Sequence, residues 1–348
     1  MHCHSSQCIS DSEIKNPFAV SYLTNAFGFT PESALAASSF LRFKSPEKPE
    51  SVTNLLKTYG FKQDDITKLV KRYPQVLGYS LERISSKIEF LISKGASSRD
   101  VVAILARNPN ILRRRLDSHV IPIYNLIKEL LHSDEKAIAV MKDGKNNLFS
   151  YASVSDIAVS IDCLRDNGVS QSNIADLLLR RPQLLGNCGR LKQTVEELKE
   201  MGFDPSKKNF VWAVIVKCRQ GDSKWRKKID VYKSWGWTEE EIFGMFKLYP
   251  MCLGTSERKI SLVMNFVVNK LGWGLSVFPA YASIIALSFE KRIIPRDSVL
   301  QSLLSKGLIE KKSYVPKVFM LTDKVFLDRY VNCYECANEL LKLYRKER

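Results

Sequence analysis

The sequence predicts an all-α protein made of repeated helical hairpins. In four stretches a glycine is followed fourteen residues later by a proline and, three residues further on, by a leucine: residues 60–74, 95–109, 168–182 and 236–250. Apolar residues between the fixed points fall at helical spacing, as Ile66, Leu69 and Val70 do in the first stretch. A constant offset around varied sequence is typical of a repeated supersecondary unit. These observations indicate a helical-repeat array.

Each copy carries the signals of two helices. The glycine permits the positive φ that ends the preceding helix. An N-cap and its capping-box partner follow in three copies: Ser97 and Asp100, Ser170 and Asn173, Thr238 and Glu241. Because proline cannot continue a helix, the first helix ends after about three turns in a sharp break, a Pro-x-h-Leu segment in which h is apolar. A second amphipathic helix, marked by Ile84, Ile88 and Leu91 in one copy, runs back to the next glycine.

Weaker copies extend the array in both directions. They open at Gly28, Gly202, Gly272 and Gly307, and the double-length gap after Gly95 places a hidden unit near residues 132–133. The period is then 32–37 residues over roughly eight units. Hairpins of this length stack as an α-solenoid, because one hairpin cannot bury its own apolar stripe. We expect a solenoid over residues 17–330, a helical tail over 331–348, and a disordered segment or presequence remnant over 1–16.

Composition indicates a soluble protein with a basic folded surface. The 348 residues are 45% hydrophobic, and no apolar run approaches the roughly 18 residues of a membrane span. The formal net charge is +16, and residues 51–306 hold 40 basic and 26 acidic residues, so the excess lies in the repeats. A folded basic surface of this kind favours a polyanion partner, although a solvated face is the plainer alternative. Eight scattered cysteines indicate reduced thiols.

The repeat, written Gly-h-(S/T)-x-x-(D/E/N)-h-x-x-h-h-x-R-x-Pro-x-h-Leu, resembles that of the mitochondrial transcription termination factor family in its land-plant form. Further similarities lie in Ile294-Pro295-Arg296 and in the closing stretch 324–330. The resemblance covers about residues 17–335. It implies a right-handed α-solenoid with two longer helices and a short 3₁₀ turn per unit. It also implies organellar nucleic-acid binding in transcription termination, initiation or intron splicing, in mitochondria or, alternatively, chloroplasts.

Two groups of basic residues are candidates for contact with nucleic acid. The first recurs twelve residues after the glycine, where Leu248 interrupts the series: Arg72, Arg107 and Arg180. Arginines at this position also suit the last carbonyls and the macrodipole of their helix, and the two interpretations are compatible. The second group clusters near breaks and helix starts: Arg113, Arg114, Arg115, Lys217, Arg219, Lys224, Arg226, Lys227, Lys228, Arg258, Lys259, Lys291, Arg292 and Arg296. Arginine suits phosphate because its planar fork donates two hydrogen bonds at once.

Other features bear less strongly on function. Trp225 lies among lysines and is a candidate for base stacking, although tryptophan at helical spacing is more often core. Cys333 and Cys336 form a lone pair, whereas zinc normally takes four ligands. The chain holds no phosphate loop, metalloprotease signature or Gly-x-Ser-x-Gly motif. We expect no enzyme activity, metal, cofactor or small-molecule substrate.

Three functions remain open at this point. The leading one is binding of double-stranded organellar DNA to regulate or terminate transcription, by a protein that is a monomer on nucleic acid and can have a protein partner. The second is an RNA binder that aids group II intron splicing or ribosomal RNA maturation. The third, from another class, is a protein-binding helical-repeat scaffold.

Overall fold

The computed structural model of the chain describes residues 16–143, 148–272, 282–310 and 315–346. Every regular element in these ranges is a helix, which confirms the predicted all-α helical repeat. The expectation for residues 1–16 lies outside the described residues apart from Asn16. Within the described ranges, no helix combines the length and apolarity needed to cross a membrane.

A complete repeat consists of a turn, a first helix, a break and a second helix, and we name each repeat after its turn residue. The first helices are Pro31–Ser38, Gln63–Arg72, Ser98–Arg107, Asp134–Lys142, Gln171–Arg180, Lys208–Cys218 and Glu239–Leu248. The breaks are Pro74–Gly78, Pro109–Leu112, Leu148–Tyr151, Pro182–Gly186, Met251–Gly254, 282–286 and Pro316–Met320. The second helices are Glu47–Thr58, Leu81–Ser93, Ile121–Leu131, Val154–Asp166, Cys188–Glu200, Asp222–Ser234, Glu257–Asn265, Ile294–Ser305 and Asp323–Tyr330.

Shorter elements complete this scheme. Helix Pro17–Phe27 precedes the first turn, and helix Ala337–Lys346 follows the last second helix. Three second helices are extended by one π-helical turn: Leu116–Val120, Phe266–Lys270 and Phe289–Ile293. In the Gly202 repeat, which has no proline at the break position, residues 219–221 join the two helices directly.

The turn residues predicted from the sequence all have left-handed backbone conformations. The positive-φ glycines are Gly28, Gly60, Gly95, Gly168, Gly202, Gly236, Gly272 and Gly307. The hidden unit is confirmed as well, because His132 occupies its turn with φ 50° and ψ 33°. His132 is the only non-glycine residue with positive φ among the described residues. A full side chain is strained in this region, which explains why the repeat otherwise uses glycine.

The helix starts also follow the sequence. Ser97 Oγ accepts a hydrogen bond from the backbone N–H of Asp100, whose carboxylate accepts the Ser97 N–H at 3.0 Å, and this completes a capping box. Thr238 and Glu241 form the same pair, with the Thr238 N–H donating to the glutamate at 2.8 Å. These side chains satisfy backbone donors that a helix leaves without partners.

The breaks differ more than the family resemblance implies. Those of the Gly60, Gly95 and Gly168 repeats are 3₁₀ turns, as expected. That of the Gly236 repeat is instead a four-residue α-helix, Met251–Gly254. Pro250 has helical φ and ψ of −54° and −29°, so it begins this short helix rather than excluding one.

The chain divides into two compact units. Unit 1 contains residues 1–166 and 174–188, and unit 2 contains residues 167–173 and 189–348. In unit 1 the break Leu148–Tyr151 packs between the breaks Pro109–Leu112 and Pro182–Gly186, so consecutive breaks stack in chain order. In unit 2 the last helix, Ala337–Lys346, packs on Ile294–Ser305 through buried residues such as Leu340 and Tyr344.

We expect His132→Gly to stabilise the protein by about 0.5–1 kcal/mol, because glycine removes the strain of a side chain at positive φ. Denaturant unfolding followed by circular dichroism measures the change. Gly95→Ala is the matched variant, since Gly95 has φ 88° and a Cβ there meets no atom within 4 Å. It should destabilise by about 1–2 kcal/mol. Equal stability of wild-type protein and His132→Gly would contradict this account of the hidden turn.

Candidate nucleic-acid interface

The antiparallel helices of each hairpin give every repeat two different edges. The break edge contains the last turn of the first helix, the break and the first turn of the second helix. The glycine edge contains the last turn of the second helix, the positive-φ turn and the first turn of the next first helix. Because breaks stack on one another in unit 1, the break edges of its consecutive repeats lie side by side.

The first helices carry opposite charges at their two ends. Acidic residues occupy the first turns of the first helices on the glycine edge: Asp64, Asp65, Asp100, Asp134, Glu135, Glu239, Glu240 and Glu241. Basic residues occupy the last turns of the same helices on the break edge: Lys71, Arg72, Arg107, Lys142, Arg180, Lys217 and Lys247. Both placements suit the macrodipole of the first helix, so they need no ligand to explain them.

Many basic side chains on the break edge bind backbone carbonyls of the next repeat. Arg83 Nε donates to Leu112 O at 2.9 Å, Arg190 Nη2 to Gln220 O at 2.9 Å, and Lys228 Nζ to Leu253 O at 2.8 Å. Lys259 Nζ donates to Ala286 O at 3.1 Å, and Arg292 Nη2 donates to Leu321 O. The last carbonyls of a helix have no hydrogen-bond partner within that helix. The basic side chains of the preceding repeat supply this partner at the breaks. We call these contacts the inter-repeat caps.

The inter-repeat caps come from corresponding positions in successive repeats. At this position one repeat has a histidine, and another has an aspartate that caps no carbonyl. His119 Nε2 lies 2.8 Å from Phe149 O and takes the place of the basic residue in the Gly95 repeat. Burial lowers the pKa of His119, and nearby Arg114 adds to this effect. In the His132 repeat the corresponding residue is Asp156, which accepts a hydrogen bond from Cys188 Sγ at 3.2 Å. This contact between repeats therefore pairs a carboxylate with a thiol, whereas an inter-repeat cap pairs a basic side chain with a carbonyl.

The arginine series at the ends of the first helices has structural contacts too. Arg72 Nη1 donates to Ala106 O at 3.2 Å, and Arg107 Nη1 donates to Lys142 O at 2.9 Å. Each acceptor lies at the end of the next repeat's first helix, so these arginines cap the neighbouring helix rather than their own. Arg180 Nε pairs with Asp176 at 2.8 Å on the same helix. Where Leu248 interrupts the series, Asn209 Nδ2 donates to its carbonyl at 3.1 Å.

Burial removes three predicted contacts from the candidate surface. Lys217 is 6% exposed, lies 3.1 Å from Glu197 and sits 4.3 Å above the Trp225 ring. Trp225 is 5% exposed and packs edge-on against Phe246. The hypothesis that Trp225 stacks on a base is therefore wrong, because its ring belongs to the core. Lys228 is also buried, and burial lowers its pKa below the ordinary lysine value.

Arg296 is fully buried, with 0% of its surface exposed. Nη1 donates to Phe319 O and Leu321 O at 2.7 Å each, and Nη2 donates to Asp323 at 2.7 Å. The guanidinium carbon lies 4.8 Å from the centre of the Phe326 ring. Burial lowers the pKa of Arg296, yet arginine stays charged at any ordinary pH. We assign Arg296 to holding the last helices in place rather than to binding a ligand.

The remaining candidates are exposed or half-exposed around the starts of the second helices. We call them the break-edge cations: Arg113, Arg114, Arg115, Arg219, Lys224, Arg226, Lys227, Arg258 and Lys291. Each of these starts also carries an acidic residue that suits the helix dipole: Asp117, Asp222, Glu257 or Glu290. A cation in the first turn of a helix opposes the dipole, so dipole compensation does not explain Lys224 or Arg258. Arg219 differs, because it caps the C-terminal end of helix Lys208–Cys218, where a positive charge suits the dipole.

Open grooves run between the starts of neighbouring second helices. In unit 1 the groove is lined by Ser80, Arg83, Lys87, Arg114 and Arg115, with Glu82 and Asp117 at its sides. Lys87 is buried, and burial together with Arg83 lowers its pKa. In unit 2 the corresponding groove is lined by Ser256, Arg258, Lys259, Ser288 and Glu290. Backbone N–H groups at helix starts and several cations suit these grooves to phosphate oxygens.

Sequence reasoning missed the structural role of the inter-repeat caps. Arg83 and Arg190 received no role, and Lys228, Lys259 and Arg296 were assigned to nucleic acid. A signal was present, because apart from Arg292 the capping residues lie 22–26 residues after the turn: Arg83, His119, Arg190, Lys228, Lys259 and Arg296. Among the described residues, no group of three or more histidine, cysteine, aspartate or glutamate side chains could hold a metal ion.

A family model described as mTERF matches residues 53–221 and 219–327, which together are well over half of the chain. The chain belongs to the mTERF family. The matched region runs from the second helix of the Gly28 repeat to helix Asp323–Tyr330, so it contains the inter-repeat caps and the break-edge cations. The hairpins described above are therefore mTERF repeats.

Curated relatives of this mTERF chain are distant. "Transcription termination factor 1a, mitochondrial" of Mus musculus is 25% identical over 206 residues, which are 58% of this chain and 52% of the mouse protein. "Transcription termination factor MTERF8, chloroplastic" of Arabidopsis thaliana is 22% identical over 294 residues, 73% of this chain and 57% of that protein. "Transcription termination factor MTERF15, mitochondrial" of the same plant is 22% identical over 354 residues, 82% of this chain and 80% of that protein. The chain spans about half the length of several relatives that it matches, the mouse protein among them.

We expect Arg296→Met to lower the free energy of unfolding by roughly 3–5 kcal/mol, because it leaves buried carbonyls and Asp323 without their donor. Lys291→Met is the control from the same mTERF repeat, since Lys291 is exposed. That substitution should change the free energy of unfolding by less than about 0.5 kcal/mol. Urea unfolding of both variants tests the assignment. If Arg296→Met has only a small effect on the free energy of unfolding, the structural role of Arg296 is contradicted.

Proposed function

We propose that this mTERF protein binds double-stranded DNA of an organelle through its break edges and thereby regulates or terminates transcription. The single observation that carries the proposal is the position of the break-edge cations. They cluster around the starts of the second helices and are exposed or half-exposed, whereas the basic residues of the inter-repeat caps bind carbonyls. Lys224 and Arg258 stand in a first helical turn, where the dipole disfavours a positive charge. A phosphate backbone would bring negative charge to these cations.

The chemistry of the break edge supports a binding protein rather than an enzyme. Backbone N–H groups, arginines and lysines at helix starts bind phosphate without consuming it. Specific DNA binding places such contacts along the backbone, and a polymerase that meets the bound protein stops. No cofactor or small-molecule substrate enters this proposal, and the protein acts as a monomer on nucleic acid with a protein partner possible.

Family membership and the names of the relatives support the organellar part of the proposal. Two of the relatives described above are named as mitochondrial and one as chloroplastic transcription termination factors. We place this protein in mitochondria, with chloroplasts as the alternative. Structured RNA is the alternative polymer, because its phosphates would meet the same cations, and a binding test must include it.

We expect the double variant Lys224→Glu/Lys227→Glu to lose at least about 60-fold in affinity for a random-sequence duplex at about 0.1 M salt. Both lysines are exposed break-edge cations, and the loss of two phosphate contacts removes about 1.8 from the slope of log affinity against log salt concentration. Fluorescence anisotropy with labelled duplex at several salt concentrations measures both quantities. Lys228 is left intact because its amine is an inter-repeat cap.

The matched control is Lys207→Glu/Lys208→Glu. These two exposed lysines lie in the same unit but on the glycine edge, and their reversal changes the net charge equally. If both double variants lose affinity equally, net charge rather than the break edge governs binding. If folded RNA competes better than duplex DNA at equal phosphate concentration, the target is RNA and the DNA-binding proposal is wrong.

A further inference from the structure

One position of the break edge recurs in four consecutive mTERF repeats of unit 1. It lies two residues after the last buried apolar residue of the break: Leu77, Leu112, Phe149 and Leu185. The residues at this position are Tyr79, Arg114, Tyr151 and Asn187. We call them the edge row. Each has a side chain that can hydrogen-bond with a base or stack on it.

The structure aligns this position independently of the sequence offset. Arg83 donates to Leu112 O, and His119 contacts Phe149 O, so the same carbonyl of these two breaks receives the preceding repeat's cap. The breaks before Arg114, Tyr151 and Asn187 pack consecutively. Members of the edge row therefore stand one repeat apart along a single edge.

Local contacts hold the two tyrosines of the edge row in place. The Tyr151 side chain is 64% exposed, and its hydroxyl accepts a hydrogen bond from Asn110 Nδ2 of the preceding break at 3.1 Å. The guanidinium of Arg83 lies 4.3 Å from the centre of the Tyr79 ring, and the Tyr79 hydroxyl lies 2.5 Å from that of Tyr73. An exposed aromatic ring that is tied at its hydroxyl costs little entropy when it contacts a ligand.

We infer that the edge row, Arg114 included, contacts the bases of the bound duplex and sets its sequence preference, while the other break-edge cations contact phosphates. This inference rests on the proposed function. Arginine pairs bidentately with guanine, and asparagine does so with adenine, in the major groove. Tyr151 offers an apolar ring for the methyl group of thymine.

Repeat geometry fixes the spacing of these contacts. Packed helices lie about 8–10 Å apart, whereas B-DNA rises about 3.4 Å per base pair. Successive members of the edge row therefore meet bases about three base pairs apart. Arg114 and Asn187 are two repeats apart, so a guanine and an adenine should be preferred about six base pairs from each other.

Selection of binding sites from a randomised duplex library at near-physiological salt tests the inference. The wild-type protein should select preferred bases at intervals of about three base pairs. Arg114→Ala and Asn187→Ala should each abolish preference at one position and lower discrimination there by roughly 5- to 150-fold. Arg114→Ala should lose no more affinity for random-sequence duplex than Arg113→Ala, the neighbouring control.

The controls separate a base contact from a general effect. Arg113→Ala removes the adjacent exposed arginine, which lies outside the edge row, and should weaken all sequences equally. Phe40→Ala removes an aromatic side chain that is 65% exposed in the same unit, and Tyr151→Ala is compared with it. If the wild-type protein binds duplex without base preference, or if Arg113→Ala shifts the preference as much as Arg114→Ala, the inference is wrong while the proposed function stands. If no duplex binds, the proposed function itself fails.

Discussion

The breaks between helices impose the constraint on which the rest of the structure depends. A helix that ends at a proline leaves carbonyl groups without partners, and stacked repeats would bury some of those groups at a cost of about 1–3 kcal/mol each. The preceding repeat removes this cost by donating from one side chain of its second helix, such as Arg83, Lys228 or Lys259. Most repeats thus complete the hydrogen bonding of the next one, and these bonds add to the apolar contact between neighbours.

This constraint explains why positive charge gathers on one edge of the repeats. Lysine and arginine reach neighbouring carbonyls with long stems, so the break edge is basic before any ligand is considered. The break-edge cations add charge beyond that requirement, and two of them, Lys224 and Arg258, do so in a first helical turn, where the dipole makes it unfavourable. Acidic residues meanwhile occupy the first turns of the first helices on the opposite edge, where they suit the dipole. The first helices therefore carry opposite charges at their two ends, and the proposed DNA contact lies on the edge that contains their basic ends.

Much of the fold, but less of the site, could be predicted from the sequence. Positive φ and N-caps are properties of a few adjacent residues, so the spacing of Gly60 and Gly95 and the pair Ser97–Asp100 predicted turns and helix starts, and even the hidden turn at His132. The hydrogen-bond partner of a basic side chain lies in a neighbouring repeat, and the sequence pattern of one helix cannot predict that partner. For that reason Arg72 and Arg296 were predicted as ligand contacts although they bind carbonyls of the next repeat.

Hydrogen–deuterium exchange of the whole protein, with and without random-sequence duplex DNA at near-physiological salt, tests the central claim most directly. If the break edge binds DNA, amides around residues 113–119 and 221–228 exchange more slowly in the complex. Amides around the turns at Gly95 and Gly236 then keep their rates, because they lie on the glycine edge. Protection of the glycine turns with unchanged exchange at the breaks would contradict the account.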